Sequence, residues 1–247
     1  MAAGAPDAGT RPPRSRLTLA VFTMIAALVV VALLALGTWQ VRRLAWKRDL
    51  IARVQSRIDA PPTPAPGPST WPGVTTETAA YRHIRLSGRY LHDRSVRTQA
   101  ATALGGGSWF MTPMATDRGF TVLVNRGFVP PGWRESSPPP GPTVVTGLLR
   151  ITEPGGGFLR RNDPAAGRWY SRDVAAIAAD RRLTRVAPYF VDAAADRVAP
   201  ARPPVGGLTI VAFPNNHLVY AITWYGLALM VAGGWMLVLR YERRLPR

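Results

Sequence analysis

The side chains of this sequence that could bind a metal or move a proton are few, and its three histidines come first. They are His83, His92 and His217. His83 and His92 flank the β-prone run IRLSGRYL, and their odd spacing would place them on opposite faces of one continuous strand. We therefore expect no shared metal there, but a solvated or hydrogen-bonded histidine at each end of the strand. His217 differs from both because it directly precedes a long uncharged run.

The other side chains with catalytic chemistry form no recognisable constellation. Carboxylates are scattered, and no serine occupies a nucleophile elbow. The GGG runs at 105–107 and 155–157 lack the Lys-Ser/Thr of a P-loop and the spacing of a dinucleotide fingerprint, so they predict flexible turns. The absence of cysteine excludes disulfides and thiolate sites. A membrane-anchored enzyme is disfavoured because it would need a catalytic cluster.

The residues that follow His217 leave two interpretations open. If the next helix continues back to His217, one stripe carries His217, Tyr220 or Ala221, and Trp224. These aromatic rings could form the interfacial belt that is common at membrane surfaces, with a hydrated histidine. Alternatively, a neutral imidazole could ligate a haem iron against the aromatic wall. In that case Arg42 and Arg43 could form charge-assisted bonds with the haem propionates.

Two uncharged runs must position these side chains. Leu17 to Leu36 is long enough, at about 1.5 Å per residue, to cross the roughly 30 Å hydrocarbon layer of a bilayer. Leu218 to Leu239 has the same character. A cleaved signal peptide is the alternative for the first run, but the run is longer than an ordinary signal-peptide core. We therefore predict two transmembrane helices.

The region between the two helices predicts a mainly β domain. Short β-prone runs separated by Gly, Pro and Asp are typical of an antiparallel sheet or a small barrel. One helix is expected in RDVAAIAADRRL, with Ser171 as its N-cap, and two further strands in APYFVDA and LTIVA. The Pro-rich stretch APPTPAPGPSTWPG predicts an extended, stiff spacer.

The predicted fold class is therefore a membrane α+β protein, in which two transmembrane helices flank a mainly antiparallel-β extramembrane domain with one or two helices. The expected organisation is a basic tail (1–16), transmembrane helix 1 (17–39), an amphipathic helix extension (40–60), a Pro-rich linker (61–73), the β-rich domain (74–216), transmembrane helix 2 (217–239) and a second basic tail (240–247).

The formal charge of +17 does not indicate a nucleic-acid partner. Lys47 is the single lysine, and the many arginines occur in a chain rich in Ala, Pro and Gly, which is typical of a genome-wide compositional bias. No basic block is interleaved with aromatic residues. Basic residues are nearly balanced between the tails and the loop flanks, so charge alone does not orient the helices in a bilayer.

Several motifs resemble, in order, those of the surfeit locus protein 1 family, whose members assist assembly of haem-copper cytochrome c oxidase. The motifs are LGTWQVRRLAWKRDLI (36–51), RLSGRY (85–90), VLVNRGFVP (122–130), RNDPAAGRWYSRDVAAIA (161–178) and PNNHLVYAITWYGLA (214–228). Five motifs in the same order are more specific than any one of them alone.

The resemblance implies a non-catalytic protein that binds haem a and helps to place it in the oxidase's catalytic subunit. It implies His217 as the iron ligand, and the expected site adds Tyr220, Trp224 and, from the first helix, Trp39. Expected partners are the catalytic subunit, a haem a synthase and the lipid bilayer. The alternative is a purely structural chaperone for an oxidase subunit, without haem. The sequence indicates no second iron ligand, because His83 and His92 are poor candidates.

The same resemblance implies the location. Both termini are expected in the cytoplasm and the β domain in the periplasm, at the inner membrane of a bacterium. The arginine bias supports a bacterial source, and so does a first tail too short and too rich in proline for an amphipathic transit helix.

Overall fold

A computed structural model describes residues 14–135, 141–157, 159–195, 202–208 and 215–244. The chain divides into two compact units, one made of residues 1–51 with 213–247 and the other of residues 52–212. Each unit is described by itself below. Expectations for residues 1–13, 209–214 and 245–247, which include parts of both tails and most of the predicted strand LTIVA, lie outside the described residues.

The described residues form four α-helices and nine strands. In chain order these are α1 (Arg16–Asp59), β1 (Thr63–Pro64), α2 (Thr76–Ala79), β2 (His83–Tyr90), β3 (Val96–Thr102), β4 (Gly105–Thr116), β5 (Thr121–Val129), β6 (Thr143–Ile151), β7 (Gly156–Gly157), β8 (Arg160–Arg161), α3 (Val174–Asp180), β9 (Val186–Ala193) and α4 (His217–Glu242). Short 3-10 helices occupy Pro68–Gly73, His92–Arg94 and Pro164–Ala166.

The first unit contains the two apolar helices that the sequence predicts. Both are long and apolar enough to cross a membrane by length and composition, and most of the apolar side chains on their outer faces are exposed. Helix α1 continues without a break through the predicted amphipathic extension as far as Asp59. Such an apolar, exposed surface is costly in water, because burial of apolar area is the main favourable term in folding.

Helices α1 and α4 run antiparallel and meet along a narrow seam. In α4 the buried residues are Ala221 and Ala228, seven apart, which is the spacing that keeps one stripe facing a partner helix. At one end of the pair the Arg14 guanidinium forms an ion pair with Glu242, at 3.5 Å. At the other end His217 contacts α1. Small residues let helices approach closely where no hydrophobic driving force exists between them.

The second unit is built on a closed sheet. Strands β2, β6, β9, β5 and β4 pair in that order, and the end of β4 pairs with β2 to complete the ring. Strand β4 is long enough to pair with β3 through its first half and with β2 through its last residues. Most pairings are antiparallel, whereas β5 with β9 and β1 with β2 are parallel. The structure thus confirms a β-rich central domain.

Both faces of the central strands are buried. Successive side chains of a strand point to opposite faces. The inner cluster contains Val122, Val124 and Tyr189, and the outer cluster contains Leu123 and Phe190. Two residues of α3, Val174 and Ile177, complete the outer cluster. Helix α3 therefore covers the outside of the barrel where β5 and β9 pair.

An ionic network lies beside this pairing. Asp192, which is 4% exposed, accepts hydrogen bonds from Asn125 at 2.7 Å and from Arg150 at 2.8 Å. Arg172 reaches the same carboxylate at 3.4 Å and also forms a bidentate pair with Glu153. A buried carboxylate requires such partners, because desolvation of an unpaired charge is costly. Two members of this network, Asn125 and Arg172, belong to the motifs quoted above.

Three local predictions are corrected by the structure. The Pro-rich stretch packs on the domain, with the Tyr189 hydroxyl donating to the carbonyl of Pro66 at 2.7 Å, where an extended spacer was expected. Asp173 caps α3, whereas the predicted cap, Ser171, accepts a bond from Asn162. The glycines at 105–107 belong to β4 instead of a flexible turn, and a Cβ at Gly107 would lie 2.5 Å from the Phe128 ring.

Candidate functional site

The candidate site lies where α4 begins, beside the middle of α1. Nδ1 of His217 and Oε1 of Gln40 are 2.7 Å apart, a strong hydrogen bond between the two helices. Gln40 is only 9% exposed, whereas His217 is partly exposed. The His217 side chain makes no other hydrogen bond within the described ranges. One ring nitrogen is therefore held by the neighbouring helix, and the second, Nε2, has no protein partner there.

Close packing next to this contact holds the two helices in register. Gly37 lies one turn before Gln40 and is buried against the ring of Tyr225. A Cβ atom at Gly37 would lie 2.7 Å from Cε1 of that ring, so no larger residue fits without movement. The Tyr225 hydroxyl and Oγ1 of Thr38 are 3.1 Å apart and form a second polar link between the helices.

The structure decides which residues share the stripe of His217. Ala221, at 2% exposure, lies on the seam, whereas the Tyr220 side chain is 53% exposed. Trp224 is partly buried on the seam side, and its indole Nε1 is fully buried without a partner among the described residues. Oδ1 of Asn215, just before α4, is also buried without a hydrogen-bond partner among the described residues. Buried polar atoms normally have a partner, so this end of the helix pair offers unused hydrogen-bonding capacity.

The basic residues of α1 do not share one face. At 100° per residue, Trp39 and Arg43 lie within about 100° of Gln40 on the same flank, whereas Arg42 lies about 200° away, on the far side of the helix. All three are exposed, and the Arg43 guanidinium lies 4.0 Å from the ring centre of Trp46. Of the two arginines proposed for propionates, Arg43 therefore stands closer to the contact that His217 makes.

The other two histidines, His83 and His92, lie in the barrel unit and form hydrogen bonds there. Nδ1 of His83 is 2.9 Å from the Ala60 carbonyl, in agreement with the expected strand-end hydrogen bond. Nδ1 of His92 is 3.3 Å from Oε2 of Glu135, whose other oxygen pairs with Arg126 at 2.5 Å. No group of three or more His, Cys, Asp or Glu side chains that could hold a metal ion occurs in the described parts of the chain.

Beside His92, Tyr90 has a strongly perturbed hydroxyl. Burial raises the pKa of Tyr90 to about 12, against a smaller opposing effect of the nearby Arg126 charge. The Arg126 guanidinium lies 5.0 Å from the centre of the Tyr90 ring. The phenol is therefore neutral near pH 7.

The sequence reading missed Gln40. A signal was present, because Gln40 is a polar residue three positions from Gly37 and four from Leu44, at the end of an apolar run. Those spacings continue the stripe that faces α4, where Leu44 is also buried. An uncharged polar residue on such a stripe indicates an interhelical hydrogen bond.

Comparison with known proteins gives consistent matches along most of the chain. A family model described as the SURF1 family matches residues 27–229. Human Surfeit locus protein 1 is 34% identical over 233 residues, covering 85% of this chain and 75% of the human one. The mouse protein of that name is 33% identical over 232 residues, covering 85% and 72%. The SURF1-like protein of Monosiga brevicollis is 31% identical over 229 residues, covering 86% and 85%. The region matched by the family model includes most of α1, the whole barrel and the first half of α4.

Proposed function

Since the chain belongs to the SURF1 family, we propose that it is a membrane-bound assembly factor for haem-copper cytochrome c oxidase. It binds haem a at the outer membrane boundary and assists its insertion into the catalytic subunit. Haem is the cargo here, and the protein catalyses no reaction on it. The single observation that carries this proposal is the position of His217, held through Nδ1 at the end of the helix pair.

The dimensions of the helix pair support a membrane location. The contact of His217 with Gln40 and the ion pair of Arg14 with Glu242 lie at opposite ends of α4. At about 1.5 Å per residue the two ends of α4 are roughly 38 Å apart. This distance is longer than the ~30 Å hydrocarbon layer but shorter than the ~40–45 Å thickness of a bilayer with its headgroup regions. Polar contacts at those two depths stay close to water, whereas the seam between them is mainly apolar, with the contact of Thr38 and Tyr225 near the His217 end.

We propose the orientation that the resemblance to the family implies. Both tails would lie in the cytoplasm of a bacterium and the barrel domain in the periplasm. His217 then lies at the periplasmic surface of the inner membrane. A chaperone for haem insertion must work at this depth, because haem carries an apolar macrocycle and charged propionates.

The residues present at this boundary fit a haem cargo. His217 offers Nε2, and neutral imidazole is a common axial ligand of haem iron. Trp224 adds a buried indole N–H without a partner within the described ranges, and Trp39 and Tyr220 present exposed aromatic rings. Arg43 is exposed on the same flank of α1 as Trp39 and can pair with a propionate. A single protein ligand with few polar contacts keeps binding reversible, as transfer to another protein requires.

The barrel domain is assigned to the protein partners. We propose that it docks on the catalytic subunit or on the haem a synthase, so that the cargo passes over a short distance.

An absorption spectrum tests the haem proposal. The wild-type chain, co-expressed with a haem a synthase and purified in detergent, should show a reduced haem a band. His217→Ala should lose most of it while remaining folded. His83→Ala, which removes a histidine of the barrel unit, serves as the matched control and should keep the band. If none of the three proteins carries haem, the haem proposal fails and the chain is better described as a structural chaperone for an oxidase subunit.

A further inference from the structure

Gln40 is the one side chain seen to hold the His217 ring within the described residues. It comes from α1, 177 positions earlier in the chain, and it is buried on the seam between the two helices. Its Oε1 lies 2.7 Å from Nδ1 of His217. A buried polar residue on an otherwise apolar stripe costs stability unless its bonds are made. The hydrogen bond to His217 therefore offsets the cost of burying the Gln40 amide.

The chemistry of the two groups assigns the proton between them. An amide oxygen can only accept a hydrogen bond, so the nitrogen that faces it must carry the hydrogen. In a neutral imidazole only one nitrogen is protonated, and the other keeps a lone pair. With the proton on Nδ1, the lone pair lies on Nε2, the nitrogen without a partner within the described ranges.

We propose that Gln40 is a positioning residue that selects the Nδ1–H tautomer of His217 and fixes the ring, so that Nε2 is presented for iron ligation. This inference rests on the haem-binding function proposed above and assigns a role within that site. Metal-binding histidines generally donate their second N–H to a neighbouring acceptor, and loss of the acceptor typically lowers metal affinity by 10–100-fold. Here the acceptor is on the other helix, so ligand geometry depends on α1 and α4 being paired.

The neutral amide also explains how the cargo can leave. A carboxylate in the same place would draw the Nδ1 proton more strongly and make the imidazole a stronger ligand. A glutamine orients the ring with less electronic effect. The site is thus preorganised for binding, yet the bond to iron remains weak enough for transfer.

The first test needs no haem. The chain has three histidines, so a protein labelled with ¹⁵N-histidine gives three sets of ring signals, and His217→Ala identifies one set. We expect His217 to show a protonated Nδ1 and an unprotonated Nε2 in detergent at neutral pH. Gln40→Leu should shift it toward the Nε2–H form, which free histidine prefers. Gln40→Glu keeps an acceptor and should restore the Nδ1–H form.

The second test measures binding of ferrous protohaem and the iron–histidine stretching band in resonance Raman spectra. We expect Gln40→Leu to weaken binding by at least about tenfold and to shift the band, and Gln40→Glu to bind at least as tightly as the wild type. The matched control is Thr38→Val, which removes a second polar link between the same helices, at 3.1 Å, without touching His217. It should leave both measurements unchanged.

The outcomes distinguish a failure of haem binding at His217 from a failure of the positioning role of Gln40. If His217→Ala binds protohaem as tightly as the wild type, the haem-binding function itself is wrong at this residue. If His217→Ala loses haem while Gln40→Leu keeps the wild-type tautomer, affinity and stretching band, His217 is the ligand and Gln40 has no positioning role. If Thr38→Val weakens binding as much as Gln40→Leu does, the effect comes from helix pairing and the assignment to Gln40 is overturned.

Discussion

Replacing Gly37 with alanine should loosen the pairing of α1 and α4. The new Cβ atom would lie 2.7 Å from Cε1 of Tyr225 and 2.9 Å from Cδ1 and Cζ. Carbon atoms in contact are normally about 3.5–4.0 Å apart, so either the ring or the helix must move by about 1 Å. Movement of the ring would strain the hydrogen bond between its hydroxyl and Oγ1 of Thr38.

The size of the destabilisation by Gly37→Ala results from two unfavourable effects and one favourable effect. Overpacking of a tight contact costs typically about 1–3 kcal/mol, and loss of the Tyr225 hydrogen bond would add about 0.5–1.5 kcal/mol. Alanine is the better helix former, which offsets roughly 1 kcal/mol of this cost. Since steric conflict with a bonded aromatic ring outweighs the gain in propensity, we expect Gly37→Ala to destabilise the helix pair by about 0.5–3.5 kcal/mol.

A second glycine supplies the control. Gly233 lies in α4, and a Cβ built there meets no atom within 4 Å. Gly233→Ala makes the same chemical change without a conflict and should leave stability unchanged or raise it by up to about 1 kcal/mol. Unfolding of the purified protein by SDS in mixed micelles, followed by tryptophan fluorescence, compares the two variants.

Gly37→Ala should also affect the proposed haem site at His217. Gly37 lies one turn from Gln40, so separation of the helices there moves the acceptor away from His217. We expect Gly37→Ala to lower both haem binding and stability. Gly233→Ala should lower neither haem binding nor stability. A Gly37→Ala variant at least as stable as the wild type would refute the close packing of the helices on which this reasoning depends.

Three further predictions follow from the structure. Arg43→Gln should reduce retained haem more than Arg42→Gln, because only Arg43 lies near the flank of Gln40; equal losses would remove the proposed propionate contact. Because Tyr90 has a folded pKa of about 12 and an unfolded pKa of about 10, its contribution is complete below pH 10 and is lost as the pH rises to 12, by up to about 3 kcal/mol. Tyr90→Phe should therefore reduce the fall in thermal midpoint between pH 9 and 12, and an unchanged fall would contradict the assignment. Asp192→Ala should destabilise the barrel by about 3–5 kcal/mol because it removes a buried counterion from two arginines, whereas Asp163→Ala, at an exposed ion pair, should cost much less in chemical denaturation. Similar losses for the two aspartate variants would argue against the buried network.

Both long helices and most strands could be predicted because their signals are local. An uncharged run of about twenty residues must satisfy its backbone within itself, and the alternation of apolar and polar residues in the run from His83 to Tyr90 matches its observed burial. The position of His217 at the start of an apolar helix is also a fact of neighbouring residues. For the same reason the sequence alone indicated a ligand-capable ring at a membrane boundary.

Capping and linker structure were less predictable, although they too are short-range. Ser171 and Asp173 are both good helix caps, and only the hydrogen bond of Ser171 to Asn162 decided that Asp173 caps α3. The Pro-rich stretch has no local preference beyond extended structure, so its fold depends on which donors reach its carbonyl groups. Pro66, for example, accepts a bond from Tyr189, 123 residues later.

The sequence by itself thus determined the apolar helices, the β-rich composition of the domain and the place of His217 at a helix end. Only the tertiary structure decided that strand β4 closes the barrel on β2, that Asn125 meets Asp192, and that Gln40 reaches Nδ1 of His217. The physical reason is that hydrophobic periodicity and backbone propensity are properties of adjacent residues. Contacts between residues 67 or 177 positions apart depend on which surfaces pack together once all the elements compete for burial.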